Sequence, residues 1–243
     1  MNNKWLYILL GISTLFIWEY FGRNIGSVRL LMSSPSYVYE YFQQNYSNLL
    51  SATFTTFLEA FLGLIIATTF SFSVMIFCFY VPKFMNFILP LMVVSQVIPI
   101  IVLAPFFIIL FGFGISSKVA MAAIMCFFPI FINFAQGYKA INRNIHDLMH
   151  IYNASTWQKI TNVYFPMSYS SIMAGLKISA TLAVIGAIVA EFAGAEIGLG
   201  KNLFISAIRL EPDLMMSSLI LSSILGIAMY GMVWTLEKKL VRQ

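Results

Sequence analysis

NIHDLMHIYNASTWQKITNVYFP, residues 144–166, is the one polar stretch that interrupts the middle of an otherwise apolar chain. Ile145, Leu148, Met149 and Tyr152 recur at helical spacing, which predicts a short amphipathic helix. Ser155 with Gln158 three residues on is a capping-box pattern and predicts the start of a second one, with Trp157, Ile160 and Tyr164 on one face. The neighbouring runs, 118–138 and 167–192, are apolar and near the roughly 20 residues that span a bilayer as a helix. Two short amphipathic helices set between membrane spans make a docking surface at the membrane edge.

Further out, four more apolar runs cover about 5–22, 52–80, 84–111 and 214–236, giving six expected spans. Sixty per cent of the 243 residues are hydrophobic and nine per cent are charged, where a soluble domain carries about a quarter charged residues. The alternation of an outer-membrane barrel is absent. The expected fold class is therefore all-α: a polytopic membrane protein with about six transmembrane helices. One transmembrane domain fills residues 1–243, with no internal repeat and no linker. The first run lacks a small-x-small cleavage site and closes on Trp18, Glu19 and Tyr20, so it is read as a retained helix and not a signal peptide.

Charge sets the expected orientation. With the N-terminus in the cytoplasm, that side holds Lys4, Lys83, Lys139, Arg143, Lys159, Lys238, Lys239 and Arg242. The outer side holds Arg23, Arg29, Lys118, Lys201 and Arg209, with most of the acids. The excess of cations favours both termini inside and puts loop 144–166 in the cytoplasm. The net charge of +5 is spread along span ends and forms no nucleic-acid patch.

Few residues offer chemistry. The string Gly198-Leu199-Gly200-Lys201-Asn202 lacks the spacing and hydroxyl of a phosphate-binding loop. His146 and His150 lie four apart without a third ligand, so no metal site is expected. Cys78 and Cys126 fall inside apolar spans and read as packing residues. No clustered nucleophile, base or metal set suggests an enzyme.

Two spans carry more information. In the third, Gln96-Val-Ile-Pro99 leads to Pro105; two prolines six apart remove two backbone donors and bend the helix. Such breaks are tolerated where protein or a water-filled cavity satisfies the freed carbonyls, so the region is either a pathway element or a packing kink. In the fifth, Gly175, Ser179, Ala183, Ala187 and Glu191 recur every four residues. That small-residue stripe permits close helix approach, within the chain or to a second copy. Glu59 in the second span must pair or face a cavity, as intramembrane ionisable groups do. Glu191 lies nearer the outer edge and is expected to be more exposed, capping the outer loop.

These segments resemble the ABC importer permeases. The cytoplasmic loop of that family reads Glu-Ala-Ala, three residues, Gly, nine residues, Ile-x-Leu-Pro. Asp147 stands at the Glu, Leu148 and Met149 at the two Ala, Asn153 at the Gly, Val163 at the Ile, Phe165 at the Leu and Pro166 at the Pro. Only Pro166 is identical, but the spacing is intact. Asn is the non-glycine residue that best tolerates a left-handed backbone, so Asn153 still supplies a break between helices.

Pro99, Pro105, Phe111, Gly112 and Gly114 match a motif of the subfamily for nitrate, sulfonates, taurine, thiamine-precursor pyrimidines and riboflavin. Ala190-Glu191-Phe192-x-Gly194-x3-Gly198-Leu199-Gly200 is similar to another of its motifs. Related permeases commonly carry arginine where Glu59 stands.

The resemblance implies a permease subunit of the bacterial inner membrane with no cofactor of its own. ATP would be used by a partner ATPase dimer docked on Asp147, Leu148, Met149, Asn153, Trp157, Val163, Phe165 and Pro166. An extracytoplasmic solute-binding protein would deliver the solute, and a second copy of the permease would complete the pathway. Glu59, Gln96, Pro99, Pro105 and Glu191 are the candidate pathway residues. A thiamine-precursor pyrimidine or similar heterocycle is the expected solute, with sulfonate, taurine or nitrate as alternatives. The rival class is an ion-coupled secondary transporter, which would need paired acids or broken helices in two related halves.

Overall fold

The computed structural model describes residues 4–24 and 32–241, and these form helices and connecting turns with no strand among them. Helix α1 runs Lys4–Asn24, α2 Pro35–Tyr80, α3 Pro82–Ser95, α4 Ile100–Phe111 and α5 Ile115–Lys139. The loop follows as α6, Arg143–Ile151, and α7, Thr156–Lys159. A π-helical turn over Ile160–Tyr164 then leads without a break into α8, Phe165–Phe192. Helices α9, Leu199–Arg209, and α10, Pro212–Val241, complete the chain.

Proline sets several boundaries. Ser34 with Pro35 opens α2, because proline at the first helical position loses no bond the helix needs. Pro82 ends it: the residue before a proline is driven out of the helical region, and Val81 sits at φ −126°, ψ 78°. The third expected span, 84–111, is two shorter apolar helices instead of one bent helix. Its break lies at Gln96–Pro99, where Pro99 takes an extended conformation (φ −61°, ψ 120°). Pro105 stays inside α4 without interrupting it.

Among the described residues, four helices are long and apolar enough to cross a membrane: Pro35–Tyr80, Ile115–Lys139, Thr156–Phe192 and Pro212–Leu240. The second expected span begins earlier than the reading from 52. The more polar segment from Pro35 is also helical, with one departure from helical angles at Asn45 (φ −121°, ψ 19°). Helix α9, amphipathic and only 11 residues long, has no counterpart among the expected spans.

Helices α5 and α8 form the centre, with α2 and α10 against them. A Cβ on Gly175 would lie 2.9 Å from the Pro129 carbonyl oxygen, and one on Gly186 would lie 2.8 Å from Cα of Ala122. Ser179 Oγ donates to the Cys126 carbonyl at 3.0 Å, and Cys126 Sγ donates to the Ser179 carbonyl at 3.1 Å. The small-residue stripe of Gly175, Ser179, Ala183 and Ala187 is buried in the chain's own core, so it serves contact with α5 and not a seam with a second copy. Both cysteines are buried and free. On the other side of α8, Lys177 Nζ pairs with Glu237 Oε2 of α10 at 2.9 Å, and the Tyr169 hydroxyl donates to the Glu237 carbonyl at 3.3 Å.

Candidate functional site

The loop 144–166 is built locally. The Asn142 side chain caps α6 by accepting from the Asn144 N–H at 2.9 Å. The helix ends where Asn153 takes φ 50°, the left-handed conformation expected of it. Across that turn the Ala154 N–H donates to the Met149 carbonyl at 3.1 Å. The capping box is present in both directions: the Gln158 N–H donates to Ser155 Oγ at 3.3 Å, and the Ser155 N–H donates to Gln158 Oε1 at 2.8 Å.

Two faces separate on this loop. Ile145 and Met149 pack on a buried cluster that includes Phe79, Phe134, Ile160, Val163 and Tyr164. The His146 ring sits edge-on to Tyr138 at 5.5 Å, which accounts for it as a packing residue. Leu148, Ile151 (77% exposed), Tyr152 (72%) and Trp157 (56%) point outward. Asp147 and Asn153 are exposed beside them.

The expected common face of Trp157, Ile160 and Tyr164 does not exist: Ile160 and Tyr164 are buried while Trp157 is not. The chain over Ile160–Tyr164 is π-helical, and its wider turn shifts the register that 3.6-residue spacing predicts. Val163 is buried in the chain's own cluster, and Phe165 packs on Phe72 at 5.4 Å and Phe134 at 5.9 Å. These two residues seat the loop on the bundle. Pro166, exposed, opens α8.

A second site lies near the other end of α5, where Lys118 is roughly 32 Å along the helix from Lys139 at 1.5 Å per residue. Glu59 of α2, Lys118 of α5 and Glu191 of α8 come together there at 3%, 1% and 1% exposure. Thr56 Oγ1 donates to Glu191 Oε1 at 2.6 Å and accepts the Leu199 N–H at 3.0 Å. Glu191 Oε2 accepts the Gly200 N–H. Lys118 Nζ donates to the carbonyls of Phe113 and Gly194, the latter at 2.7 Å. Glu59 Oε2 has no hydrogen-bond partner among the described residues.

Gly198, at φ 153°, closes this arrangement. A Cβ there would lie 2.3 Å from the Glu191 carboxyl carbon. The cluster thus stitches α2, α5, α8 and the start of α9 together. Glu191 ties down the start of α9 through the Gly200 N–H, but it is fully buried and not the more exposed acid expected from its place near the helix end. Lys118 is likewise an interior cation and not an outer-loop charge. Hydrophobicity along one helix does not reveal either fact, because burial here comes from the loop 193–198 folding over the helix ends.

The candidate pathway residues are not gathered in one place. Glu59 and Lys118 line a cavity of about 320 Å³ with Phe113, Gly114 and Glu196. Gln96 lines another, of about 330 Å³, with Met92, Leu103 and Phe128. Pro99 and Pro105 are exposed and line neither cavity. Glu191 is sealed behind Thr56 and Gly200. Sequence reading passed over Thr56 and the Lys177–Glu237 pair. Thr56 sits three residues before Glu59, so helical spacing places both on one face.

A single bundle of long apolar helices, carrying an exposed loop with two capped helices at one end, is the architecture of a polytopic transport permease. The chain belongs to the family described as binding-protein-dependent transport system inner membrane component, which matches residues 79–242. It is 31% identical to the formylaminopyrimidine transport permease protein ThiX of Halalkalibacterium halodurans over 233 residues, 96% of this chain and 93% of that protein. It is 32% identical over 153 residues to the riboflavin transport system permease protein RibX of Chloroflexus aurantiacus, covering 63% of this chain and 57% of that protein. Against the putative aliphatic sulfonates transport permease protein SsuC of Bacillus subtilis the identity is 26% over 153 residues, 63% of this chain and 55% of that protein. The chain is an ABC importer permease subunit for a small solute, which sets aside the ion-coupled alternative.

Proposed function

We propose that this chain is the translocating subunit of an importer for a thiamine-precursor pyrimidine or a similar heterocycle. The observation that carries the solute is the similarity to the formylaminopyrimidine permease along nearly the whole chain, where the riboflavin and sulfonate relatives match over 63% of it. Two copies form the pathway, an ATPase dimer docks on their loops, and an extracytoplasmic binding protein delivers the solute. Both termini lie in the cytoplasm.

The exposed apolar side chains of Leu148, Ile151, Tyr152 and Trp157 support the docking role. A contiguous set of large apolar groups on an otherwise polar loop marks an interaction surface. Asp147, Met149 and Asn153 shape that surface, while Val163, Phe165 and Pro166 anchor it to the bundle. Glu59 belongs to the pathway, at the cavity it shares with Lys118. Coupling follows from population: solute delivery and nucleotide each bind one state of the assembly more tightly and shift it toward that state.

The test is uptake into proteoliposomes that hold the permease with its ATPase and receive the loaded binding protein. ATP-dependent accumulation of labelled formylaminopyrimidine is expected. Accumulation of taurine or an alkyl sulfonate with no pyrimidine uptake overturns the solute.

A further inference from the structure

Behind the docking loop lies a cavity of about 410 Å³, walled by the α2–α3 turn, the end of α5 and the start of α7. Lys139 comes from α5 and Lys159 from α7. Neither lysine makes an ion pair or a side-chain hydrogen bond among the described residues, and no acid lines the cavity. Thr156 and Asn86 add polar groups beside them, while Pro82 and Met85 form an apolar wall. The cavity therefore carries two uncompensated positive charges next to a greasy surface.

Its level matters as much as its lining. It lies where the apolar helix α2 stops at Tyr80 and where α5 ends at Lys139; with both helices long and apolar enough to cross a membrane, these ends fall at its edge. An anion with an apolar tail fits both the chemistry and the position. Basic pockets between helices at this boundary take up phospholipid head groups, and lysine stems lie along apolar surface while their ammonium groups reach the phosphate.

We propose that this cavity binds the phosphate of an anionic phospholipid such as phosphatidylglycerol. The ammonium groups of Lys139 and Lys159 hold the phosphate, and the glycerol and first methylenes lie along Met85 and Pro82. Because Lys159 belongs to the docking loop and Lys139 to the bundle, one lipid ties the loop to the membrane. The shared chemistry with free phosphate is the oxyanion; the apolar wall points to the lipid. The inference needs only the membrane-embedded fold and not the identity of the solute.

The experiment places the purified permease in nanodiscs of phosphatidylcholine with graded phosphatidylglycerol and measures lipid retained on extraction by native mass spectrometry. The wild type is expected to retain phosphatidylglycerol over phosphatidylcholine. The pair Lys139→Gln with Lys159→Gln is expected to lower that preference roughly 10–30-fold, and Lys139→Arg with Lys159→Arg to restore it. Lys83→Gln, on the same turn but outside the cavity, is expected to leave it unchanged. Three results overturn the proposal: equal retention of both lipids by the wild type, an equal loss in Lys83→Gln, or inorganic phosphate carried through extraction on the wild type in place of either lipid. The last would assign the site to an aqueous anion. Thermal unfolding of each variant confirms that it is folded, and if the glutamine pair is not, the arginine pair alone decides: loss of preference there refutes the proposal.

Discussion

Gly198→Ala should destabilise the end of the bundle that holds the acids, by two separable effects. The backbone at Gly198 has φ 153° and ψ 160°, a region that only glycine occupies freely. Forcing alanine into it costs about 1–3 kcal/mol. The added Cβ would also sit 2.3 Å from both the carboxyl carbon and Oε1 of Glu191. That carboxylate is pinned by Thr56 at 2.6 Å and by the Gly200 N–H, so it cannot move aside without releasing them. Thr56 can turn its one hydroxyl proton to the Ala52 carbonyl, 3.0 Å away, but the Gly200 N–H is left buried and unpaired. An orphaned buried donor costs another ~1–3 kcal/mol. The sum is about 2–6 kcal/mol, and at roughly 2–4 °C per kcal/mol for a chain of this size the melting temperature falls by at least about 4 °C. The assay is thermal unfolding of the detergent-purified permease. Gly226→Ala is the control: its Cβ meets nothing within 4 Å, and alanine favours a helix interior by about 1 kcal/mol. A Gly198→Ala protein that melts within a degree of the wild type would refute the idea that the Glu191 carboxylate is clamped.

Other outcomes follow from the loop and the cluster. Asn153→Gly should preserve ATPase coupling, whereas Asn153→Val forces a β-branched residue to φ 50° and should cost about 1–2 kcal/mol, read as lower heat stability and weaker ATP-driven uptake. Trp157→Ala should reduce co-purification of the ATPase about 30-fold if it is a docking hot spot of about 2 kcal/mol, with permease yield unchanged; full recovery of the ATPase would remove it from the interface. Glu59→Gln should lower uptake with little change in melting temperature if Glu59 serves the pathway. A fall in melting temperature with normal uptake would make Glu59 purely structural, part of the same staple as Glu191.

The legible parts of this chain were those governed by local chemistry. The capping box at Ser155–Gln158 and the left-handed turn at Asn153 each depend on a few neighbouring residues, and each stands in the structure as read, whereas the two prolines of the third span, read as bending one helix, act differently: Pro99 ends it and Pro105 does not disturb it. The small-residue stripe on α8 was also visible, but its partner was not, since a period shows that a face packs and not against what. The interior charges were harder. Lys118 falls at the start of an apolar run, and its burial depends on carbonyls from Phe113 and from Gly194, the latter 76 residues away in sequence. The π-helical turn at Ile160–Tyr164 displaced the predicted face of Trp157 because no single-sequence signal marks an extra residue in a turn.

The pair between Lys177 and Glu237 has a consequence for biosynthesis. The chain is made from its N-terminus, so Lys177 reaches the bilayer 60 residues before its partner exists. A lysine inserted without a counter-ion costs more the deeper it lies, up to about 2.5–3.5 kcal/mol at the centre of a span. Helix α8 therefore carries an unpaired cation until the closing turns of α10 arrive to neutralise it. A chain cut short just before Glu237 would leave α8 with a stranded cation, and the cell would have a physical means of telling a finished permease from an unfinished one.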